Sequence, residues 1–241
     1  MSEGLFYFYK MIKKYEHIFF DLDRTLWHFD ENSKKVLRDI FTIFKLEQSI
    51  NSFDSFLEKY HEINNQLWEA YGKDKIDKEQ LRWKRFADTL QFFNIDNQEL
   101  SEQIGDYYIN YSPKQTLLFP HAIEILEYLS KKYQLHIISN GFEEVQYIKL
   151  SASGILHYFK QIILSERVGV KKPHPLIFKK AMKQSGATIK NAMMVGDDLY
   201  ADIYGAQRVK MDHVYFNFYK KEHDKKVQYE INCLSELIKI L

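Results

Sequence analysis

The sequence contains almost no cysteine, almost no net charge and no long uninterrupted apolar segment. Cys233 is the only cysteine among 241 residues, which excludes an internal disulfide framework and suits a reducing compartment. Lysine and arginine total 34 against 33 acidic residues, for a net charge of +1, so no overall field recruits a nucleic acid polymer or an anionic membrane. No segment reaches the roughly 18 uncharged apolar residues of a membrane span. We expect a cytoplasmic protein with a small-molecule partner, and the oligomeric state stays open.

The first residues also lack the features of an export signal. They have no basic start followed by a long apolar segment, and no small-residue cleavage site follows. We expect residues 1–10 to be an N-terminal extension and the working chain to begin at Met11.

The composition and the apolar pattern predict an α/β fold. Hydrophobic residues make up 45% of the chain and charged residues 28%, as in ordinary globular proteins. Helical patterns separate the later apolar segments, and Gly154 and Gly186 follow two of these helices as stop signals. Alternating strands and helices predict a doubly wound parallel sheet with right-handed crossovers. The five predicted strands are His17–Phe20, Leu135–Ser139, Gln161–Leu164, Ala192–Val195 and His213–Asn217.

A long segment without any clear strand separates the first two predicted strands. It carries several helix-like patterns, and a structureless loop of this length is unexpected inside a compact domain. We therefore predict an inserted helical unit over residues 31–113, with boundaries near Asp30 and Pro113. The core is then formed by residues 11–30 and 114–241.

Polar side chains follow the carboxyl ends of four predicted strands. In an open parallel sheet these ends meet at one edge, where ligands bind. The residues are Asp21, Asp23 and Thr25 after the first strand, Ser139, Asn140 and Gly141 after the second, Lys171 and Lys172 after the third, and Asp197, Asp198 and Asp202 after the fourth. We expect these groups to converge.

Several carboxylates beside a lysine and a hydroxyl indicate a hard divalent cation, because an isolated acidic cluster repels itself. A site with few oxygen ligands suits Mg²⁺, which keeps waters and binds substrate phosphate, and the chain has no histidine or cysteine pattern typical of zinc. The lysine, the hydroxyl and glycine-flanked amides match phosphoryl oxygens. The chemistry therefore predicts a phosphate ligand.

These residues carry a family resemblance. The segments Asp21–Thr25, Ser139–Gly141, Lys172–Pro173 and Gly196–Asp202 resemble, in order, the four motifs of the haloacid dehalogenase-like (HAD) hydrolases. The similarity extends over residues 17–217. It implies a Rossmann-like core, and the helical insertion after the first motif resembles the type 1 cap of this superfamily.

The resemblance also implies a role for each residue. Asp21 would attack phosphorus, and Asp23 would protonate the leaving group and then activate water. Mg²⁺ would be held by the side chains of Asp21 and Asp197 and by the backbone carbonyl of Asp23. Phosphoryl oxygens would be held by Ser139, Asn140, Gly141 and Lys172, with Lys171 as the rival lysine. The supporting residues would be Thr25, which steadies the first loop, Asp202, which assists the metal or orients Lys172, and Asp198, which assists or only caps the next helix.

Three positions depart from the family pattern. Arg24, His121 and Lys210 stand where glycine is common. Arg24 lies inside the first motif, where it would narrow the entrance or place a cation near the substrate. Trp27, His28 and Asp30 follow that motif and either line the cleft or form a hinge.

The resulting prediction is a Mg²⁺-dependent phosphatase that forms an aspartyl-phosphate. The segments around Ser139 and Lys172 resemble those of bacterial house-cleaning pyrimidine 5'-nucleotidases, which implies a nucleoside 5'-monophosphate. A dehalogenase is disfavoured because those members lack the second acid of the first motif. A phosphomutase of the same fold and a catalytically silent binding or regulatory protein remain alternatives. We also expect the helical insertion to open and close over the site on its two linkers.

Overall fold

The computed structural model describes residues 15–241, and in this part of the chain six parallel strands form one sheet. Their order across the sheet is β3-β2-β1-β4-β5-β6. The expected extension at residues 1–10 and the first core residues, 11–14, lie outside the described residues. The strands are β1 (His17–Phe20), β2 (Gln134–Ser139), β3 (Phe159–Leu164), β4 (Ala192–Gly196), β5 (Asp212–Phe216) and β6 (Tyr229–Ile231).

The strand pattern agrees with burial on both faces, as parallel sheets require. Every residue of β1 is buried. Ile18 and Phe20 pack into one apolar layer, whereas Phe19 packs with Ile138 and Met194 on the opposite face. The doubly wound parallel sheet predicted from the sequence is confirmed.

The sequence predicted five strands, and β6 was missed. It has only three residues, of which Tyr229 and Glu230 are exposed, so it presents no apolar run. It pairs with β5 alone, and a short strand at the edge of a sheet leaves little trace in a hydrophobic pattern.

The described α-helices fall into two groups. Five of them lie between β1 and β2, the first four in the insertion and the fifth just before β2, and the others lie between the later strands. Within the described residues, none of the helices is both long enough and apolar enough to cross a membrane. The helices are α1 (Phe29–Ile43), α2 (Phe53–Gly72), α3 (Lys78–Phe92), α4 (Gln98–Tyr111), α5 (Ala122–Ser130), α6 (Glu143–Ala152), α7 (Ser165–Val168), α8 (Pro175–Ser185) and α9 (Gly205–Arg208), with a π-helical segment at Leu199–Tyr204.

Local sequence signals account for the ends of the inserted helices. Ser52 and Asn97 accept hydrogen bonds from backbone N–H groups in the first turns of α2 and α4. Asp77 and Gln80 form a reciprocal capping box at the start of α3. The four helices bury a core of their own, rich in aromatic rings: Phe41, Phe53, Phe56, Tyr60, Phe86 and Tyr108.

The two chain segments that connect the inserted helices to the sheet are paired with each other. Trp27 forms an isolated β-bridge with Leu118, and its indole N–H donates to the carbonyl of Gln115 at 2.9 Å. The side-chain amide of Asn32 donates to the carbonyl of Leu117 and accepts from its N–H. The connection is therefore a hydrogen-bonded pair of segments rather than two independent loops.

The three departures from the family's glycine pattern share one backbone property. Arg24, His121 and Lys210 have φ values of 63°, 66° and 58°. This left-handed region favours glycine, because a Cβ is crowded there. Glycine is therefore favoured at these positions because it adopts a positive φ most easily, and in this chain larger residues adopt the same backbone conformation.

Candidate active site

Three carboxylates from two strand ends meet at one edge of the sheet. Asp21 directly follows β1, Asp197 directly follows β4, and Asp202 lies one turn further along the chain. Their oxygens lie within 4.8 Å of one another. Gly196 permits this approach, because a Cβ at that position would overlap the carboxylate of Asp202.

Lys172 lies between two of these carboxylates. Its Nζ donates to Asp21 Oδ1 at 2.5 Å, to Asp202 Oδ1 at 2.6 Å and to the carbonyl of Ile138 at 2.8 Å, and the residue is only 5% exposed. The neighbouring Lys171 instead pairs with Asp74 of the helical insertion. Of the two candidate lysines, Lys172 is thus the one inside the cluster.

The cluster carries more negative charge than Lys172 offsets. Burial raises the pKa of Asp21 to about 7, with Lys172 opposing the rise. Burial and the neighbouring carboxylates raise the pKa of Asp197 well above its ordinary value. Burial alone would lower the pKa of Lys172, but Asp202 and Asp21 outweigh it and raise that pKa. Three acids facing one ammonium are a donor set that fits a divalent cation.

The three predicted supporting residues make specific contacts in or around the cluster. The hydroxyl of Thr25 donates to Asp197 Oδ1 at 3.1 Å. Asp198 Oδ1 accepts from the backbone N–H groups of Tyr200 and Ala201, each at 2.8 Å, so this side chain caps the π-helical segment. Asp202 accepts from Lys172 and from the N–H of Asp198, contacts that favour orienting the lysine.

The hydroxyl of Ser139 is oriented by two donors. Its Oγ accepts from the N–H of Gly141 at 3.0 Å and from Gln146 Nε2 at 2.7 Å. A hydroxyl oxygen has two acceptor sites and one hydrogen. Among the described residues no acceptor is found for that hydrogen, so the hydroxyl remains able to donate to a ligand.

The side chain of Asn140 holds the lysine loop. Its Oδ1 accepts from the backbone N–H of Lys172 at 2.7 Å, and its Nδ2 donates to the carbonyl of the same residue at 3.0 Å. The amide therefore fixes Lys172 relative to the end of β2.

The carboxylate of Asp23 lies outside the cluster and has partners that the motif pattern did not indicate. Its Oδ1 pairs with Lys149 Nζ at 2.5 Å, and its Oδ2 accepts from Gln146 Nε2 at 2.7 Å. Both partners lie on α6 and are buried. Polar residues on the buried face of a helix next to a motif are the signal that could have revealed them.

Arg24 forms an ion pair with Asp30 beside the first motif, and Trp27 and His28 lie between these two residues in the chain. Arg24 pairs with Asp30 Oδ1 at 2.9 Å and lies over the ring of Phe29 at 4.5 Å, so this cation is already paired. His28 stacks on Phe119 at 4.2 Å, and Trp27 belongs to the paired connection. Trp27 and His28 therefore belong to the segments that connect the insertion to the sheet, whereas Asp30 lies in the first turn of α1.

The helical insertion contacts the core through a small apolar cluster and several ion pairs. Phe142, just before α6, stacks on Trp68 and meets Tyr71 edge-on, with ring centres 5.5 and 5.6 Å apart. Lys78 at the start of α3 pairs with Glu144 and Glu166 of the core at 2.8 and 3.0 Å. These contacts close one side of the cleft.

A cavity of about 410 Å³ remains between the insertion and the core. It lies between the end of α2 and the loops around Lys172, and its lining includes Tyr71, Lys171, Lys172 and Tyr200. Its volume is in the range of small-molecule sites, about 300–1,000 Å³. Lys172 connects this cavity to the acidic cluster, whereas Asp21, Asp197 and Asp202 do not line it.

Comparison with known proteins gives consistent similarities. The family model of haloacid dehalogenase-like hydrolases matches residues 18–216. The pyrimidine 5'-nucleotidase YjjG of Escherichia coli (strain K12) is 29% identical over 231 residues, which cover 95% of this chain and 98% of that protein. A glyceraldehyde 3-phosphate phosphatase of Pyrococcus abyssi is 43% identical over 114 residues, covering 45% of this chain and 48% of that protein.

A solved structure extends the similarity to three dimensions. The magnesium-bound crystal structure of the HAD-hydrolase YfnB from Bacillus subtilis matches with a TM-score of 0.86 and 27% identity, covering 95% of this chain and 99% of that one. An interdomain movement is described for that protein. The similarity therefore includes the helical insertion as well as the sheet.

Proposed function

Because this chain belongs to the haloacid dehalogenase-like hydrolases and is a hydrolytic enzyme, we propose that it is a Mg²⁺-dependent phosphatase of small phosphomonoesters, with nucleoside 5'-monophosphates as its substrates. The observation that carries the proposal is the contact of Lys172 with Asp21 inside an acidic cluster. A buried carboxylate held by an ammonium, beside a free hydroxyl at Ser139, suits attack on a phosphoryl group.

Asp21 is the proposed nucleophile of the first step. One of its oxygens attacks phosphorus while the bond between phosphorus and the leaving oxygen breaks, and Asp23 gives its proton to that oxygen. The alcohol departs and an aspartyl-phosphate remains on Asp21. Lys172 and the Ser139 hydroxyl donate to the phosphoryl oxygens as their charge redistributes.

The second step releases phosphate. Asp23, now a carboxylate, takes a proton from water as the water oxygen attacks phosphorus. The bond between phosphorus and Asp21 breaks, inorganic phosphate leaves, and both carboxyl groups return to their starting forms. The two acids separated by one residue therefore have different tasks.

Asp21 and Asp197 are the side chains that would hold Mg²⁺, with the backbone carbonyl of Asp23 as a further ligand by family resemblance. When bound, the cation supplies positive charge that offsets the carboxylates and stabilises charge on the transferring phosphoryl group. Asp202 also lies in the acidic cluster, but Lys172 and the N–H of Asp198 occupy its oxygens, which supports an orienting role.

The proposed domain boundaries follow the sequence analysis, with residues 31–113 as the cap and residues 11–30 and 114–241 as the catalytic core. The cavity of about 410 Å³ supports a substrate larger than phosphate, and Tyr200, which is 66% exposed, provides a ring on which a planar base can stack. Opening of the cap about the paired connection would admit the substrate. The small apolar contact around Phe142 is compatible with such a motion, because a large dry interface would oppose it.

Phosphate release from a panel of phosphomonoesters tests the proposal. The panel contains nucleoside 5'-monophosphates, glyceraldehyde 3-phosphate and a generic aryl phosphate, each assayed with and without Mg²⁺. We expect Mg²⁺-dependent hydrolysis and a loss of at least about 10³-fold in Asp21→Asn, since the nucleophile is removed. Asp224→Asn, at an exposed carboxylate, is the matched control and keeps wild-type activity.

Three results would contradict the proposal. Hydrolysis that continues unchanged in Asp21→Asn would exclude Asp21 as the nucleophile. Transfer of phosphate between positions of one sugar without net release would favour the phosphomutase, and an inactive wild-type protein would favour a binding or regulatory role.

A further inference from the structure

Lys149 of α6 is a buried cation whose charge is directed at Asp23. Only 5% of the residue is exposed, and its Nζ lies 2.5 Å from Asp23 Oδ1 and 4.3 Å from the ring centre of Trp27. A buried ammonium is costly unless it is paired. Among the described residues the only carboxylate that pairs with it is that of Asp23, to which the family resemblance assigns acid and base chemistry.

Gln146, one turn before Lys149 on the same face of α6, connects Asp23 to the phosphate side of the site. It is fully buried, and its Nε2 lies 2.7 Å from both Asp23 Oδ2 and Ser139 Oγ. The Gln146 amide thus donates one hydrogen to Asp23 and the other to Ser139. Gly141 makes room for this contact, because a Cβ there would overlap Gln146 Nε2.

These contacts limit the orientations available to Asp23. A carboxylate offers about four acceptor sites, and Lys149 and Gln146 each occupy one, on different oxygens. The remaining sites face away from α6. Rotation of the carboxylate would break a charged contact as well as a hydrogen bond, so its orientation relative to Ser139 is fixed from one side.

We propose that Lys149 and Gln146 are positioning residues of the hydrolase reaction. Lys149 aims the carboxyl group of Asp23 at the oxygen of the leaving group, and Gln146 sets the spacing between Asp23 and the Ser139 hydroxyl. This inference rests on the proposed phosphatase function. The two residues have different roles. Lys149 affects proton transfer alone, whereas Gln146 affects both proton transfer and phosphate binding.

Two substrates with different leaving groups separate proton transfer from the rest of the reaction. An aryl phosphate with an electron-poor phenol loses its leaving group without protonation, whereas an alkyl phosphomonoester requires a proton from the enzyme. The ratio kcat/KM includes the steps up to departure of the leaving group. A defect in proton delivery therefore lowers kcat/KM for the alkyl ester more than for the aryl ester.

The experiment compares Lys149→Met, Lys149→Arg and Gln146→Leu with wild type, using p-nitrophenyl phosphate and an alkyl phosphomonoester that the wild type hydrolyses. Lys180→Met, at an exposed lysine of α8, is the control. For Lys149→Met we expect kcat/KM to fall about 10-fold further for the alkyl ester than for the aryl ester, because general acid catalysis contributes at least about 10²-fold. Lys149→Arg restores most of this difference, since the guanidinium also pairs with a carboxylate and stacks on an indole.

Binding of inorganic phosphate, measured by calorimetry in the presence of Mg²⁺, gives a readout that is independent of turnover. Lys149→Met binds phosphate like the wild type, which also shows that the site is folded. Gln146→Leu binds it several-fold more weakly, because the Ser139 hydroxyl loses a donor that orients it.

Equal losses on both substrates, or no loss, in Lys149→Met would overturn the role of Lys149. Unchanged phosphate affinity in Gln146→Leu would overturn the role of Gln146. Either result leaves the phosphatase function intact, whereas a wild-type protein that hydrolyses neither ester overturns the function and this inference together.

Discussion

The buried pair of His17 and His136 predicts how the stability of the fold depends on pH. The two side chains lie on the adjacent strands β1 and β2, with His17 Nδ1 3.1 Å from His136 Nε2, and His136 is fully buried. Only one of the facing nitrogens can carry a hydrogen in this contact. A doubly protonated pair would bring two N–H groups and two positive charges together in the core.

The magnitude follows from the pKa of His136. Burial, with a smaller contribution from His17, lowers this pKa from 6.5 to about 4. At about 1.4 kcal/mol per pH unit, this difference corresponds to about 3 kcal/mol. Because the pKa is lower in the folded state, the stabilisation is fully present above pH 6.5 and is lost as the pH falls to about 4.

His136→Leu removes the titrating group and should change the slope of stability with pH. At pH 7.5 the variant should be no more stable than wild type, since His17 loses its partner, at a cost of about 1 kcal/mol. By pH 4 the difference in unfolding free energy should have moved about 3 kcal/mol in favour of the variant. The carboxylates that titrate in this range are the same in both proteins, so their contributions cancel to first order in the difference between the two unfolding free energies.

Urea unfolding followed by circular dichroism between pH 4 and pH 8 measures this difference directly. His157→Leu is the matched control, because that histidine is exposed, and its curve should run parallel to the wild type. If the curves of His136→Leu and wild type are parallel over the whole range, the folded protein accommodates the protonated pair and the reasoning is refuted.

Three further predictions concern the site and the cap. Gly196→Ala should lower activity at least about 10-fold and destabilise the fold by about 1–3 kcal/mol, because its Cβ overlaps Asp202; steady-state kinetics and thermal melting check this. Lys172→Met should cost about 3–5 kcal/mol at neutral pH, since buried carboxylates lose their counter-charge; an unchanged urea midpoint would contradict it. Phe142→Ala should raise KM and change global stability only slightly, because the ring stacks on Trp68 across the cap interface. A loss of stability with an unchanged KM would show that the cap and the core unfold as one unit.

The sequence predicted the parts of the fold that depend on strong local signals. Five strands have apolar runs flanked by turn residues, and helix α8 ends at Ser185 with Gly186 in a left-handed conformation, as the glycine indicated. β6 lacked such a signal, because two of its three residues are exposed and its pairing with β5 is a long-range property.

The clustering of the acids was predictable for a different reason. Parallel strands place their carboxyl ends at one edge, so residues that follow β1 and β4 must approach each other whatever the loops do. The lysine that pairs with them was harder to choose, because Lys171 and Lys172 are adjacent. Their separation into a cap contact and a core contact depends on the loop backbone, which Asn140 holds through hydrogen bonds to Lys172.

The partners of Asp23 were missed because α6 looks like an ordinary amphipathic helix in the sequence. Gln146 and Lys149 are three residues apart, a spacing that places both on one face, but their burial depends on the approach of α6 to the strand ends. Polar residues on a buried face need partners. Two polar residues on one helix face, directly after the Ser139 motif, therefore indicate partners for a site residue, whereas neither feature alone does.

The same contacts connect the cap hinge to the proposed chemistry. The indole of Trp27 bonds to Gln115 across the paired connection, and its ring lies against Lys149, which in turn holds Asp23. A rotation of the inserted helices about this connection would act on a side chain that touches the partner of the acid. Because packed interiors transmit displacements, the proposed motion of the cap would reach Asp23 through two contacts, Trp27 with Lys149 and Lys149 with Asp23.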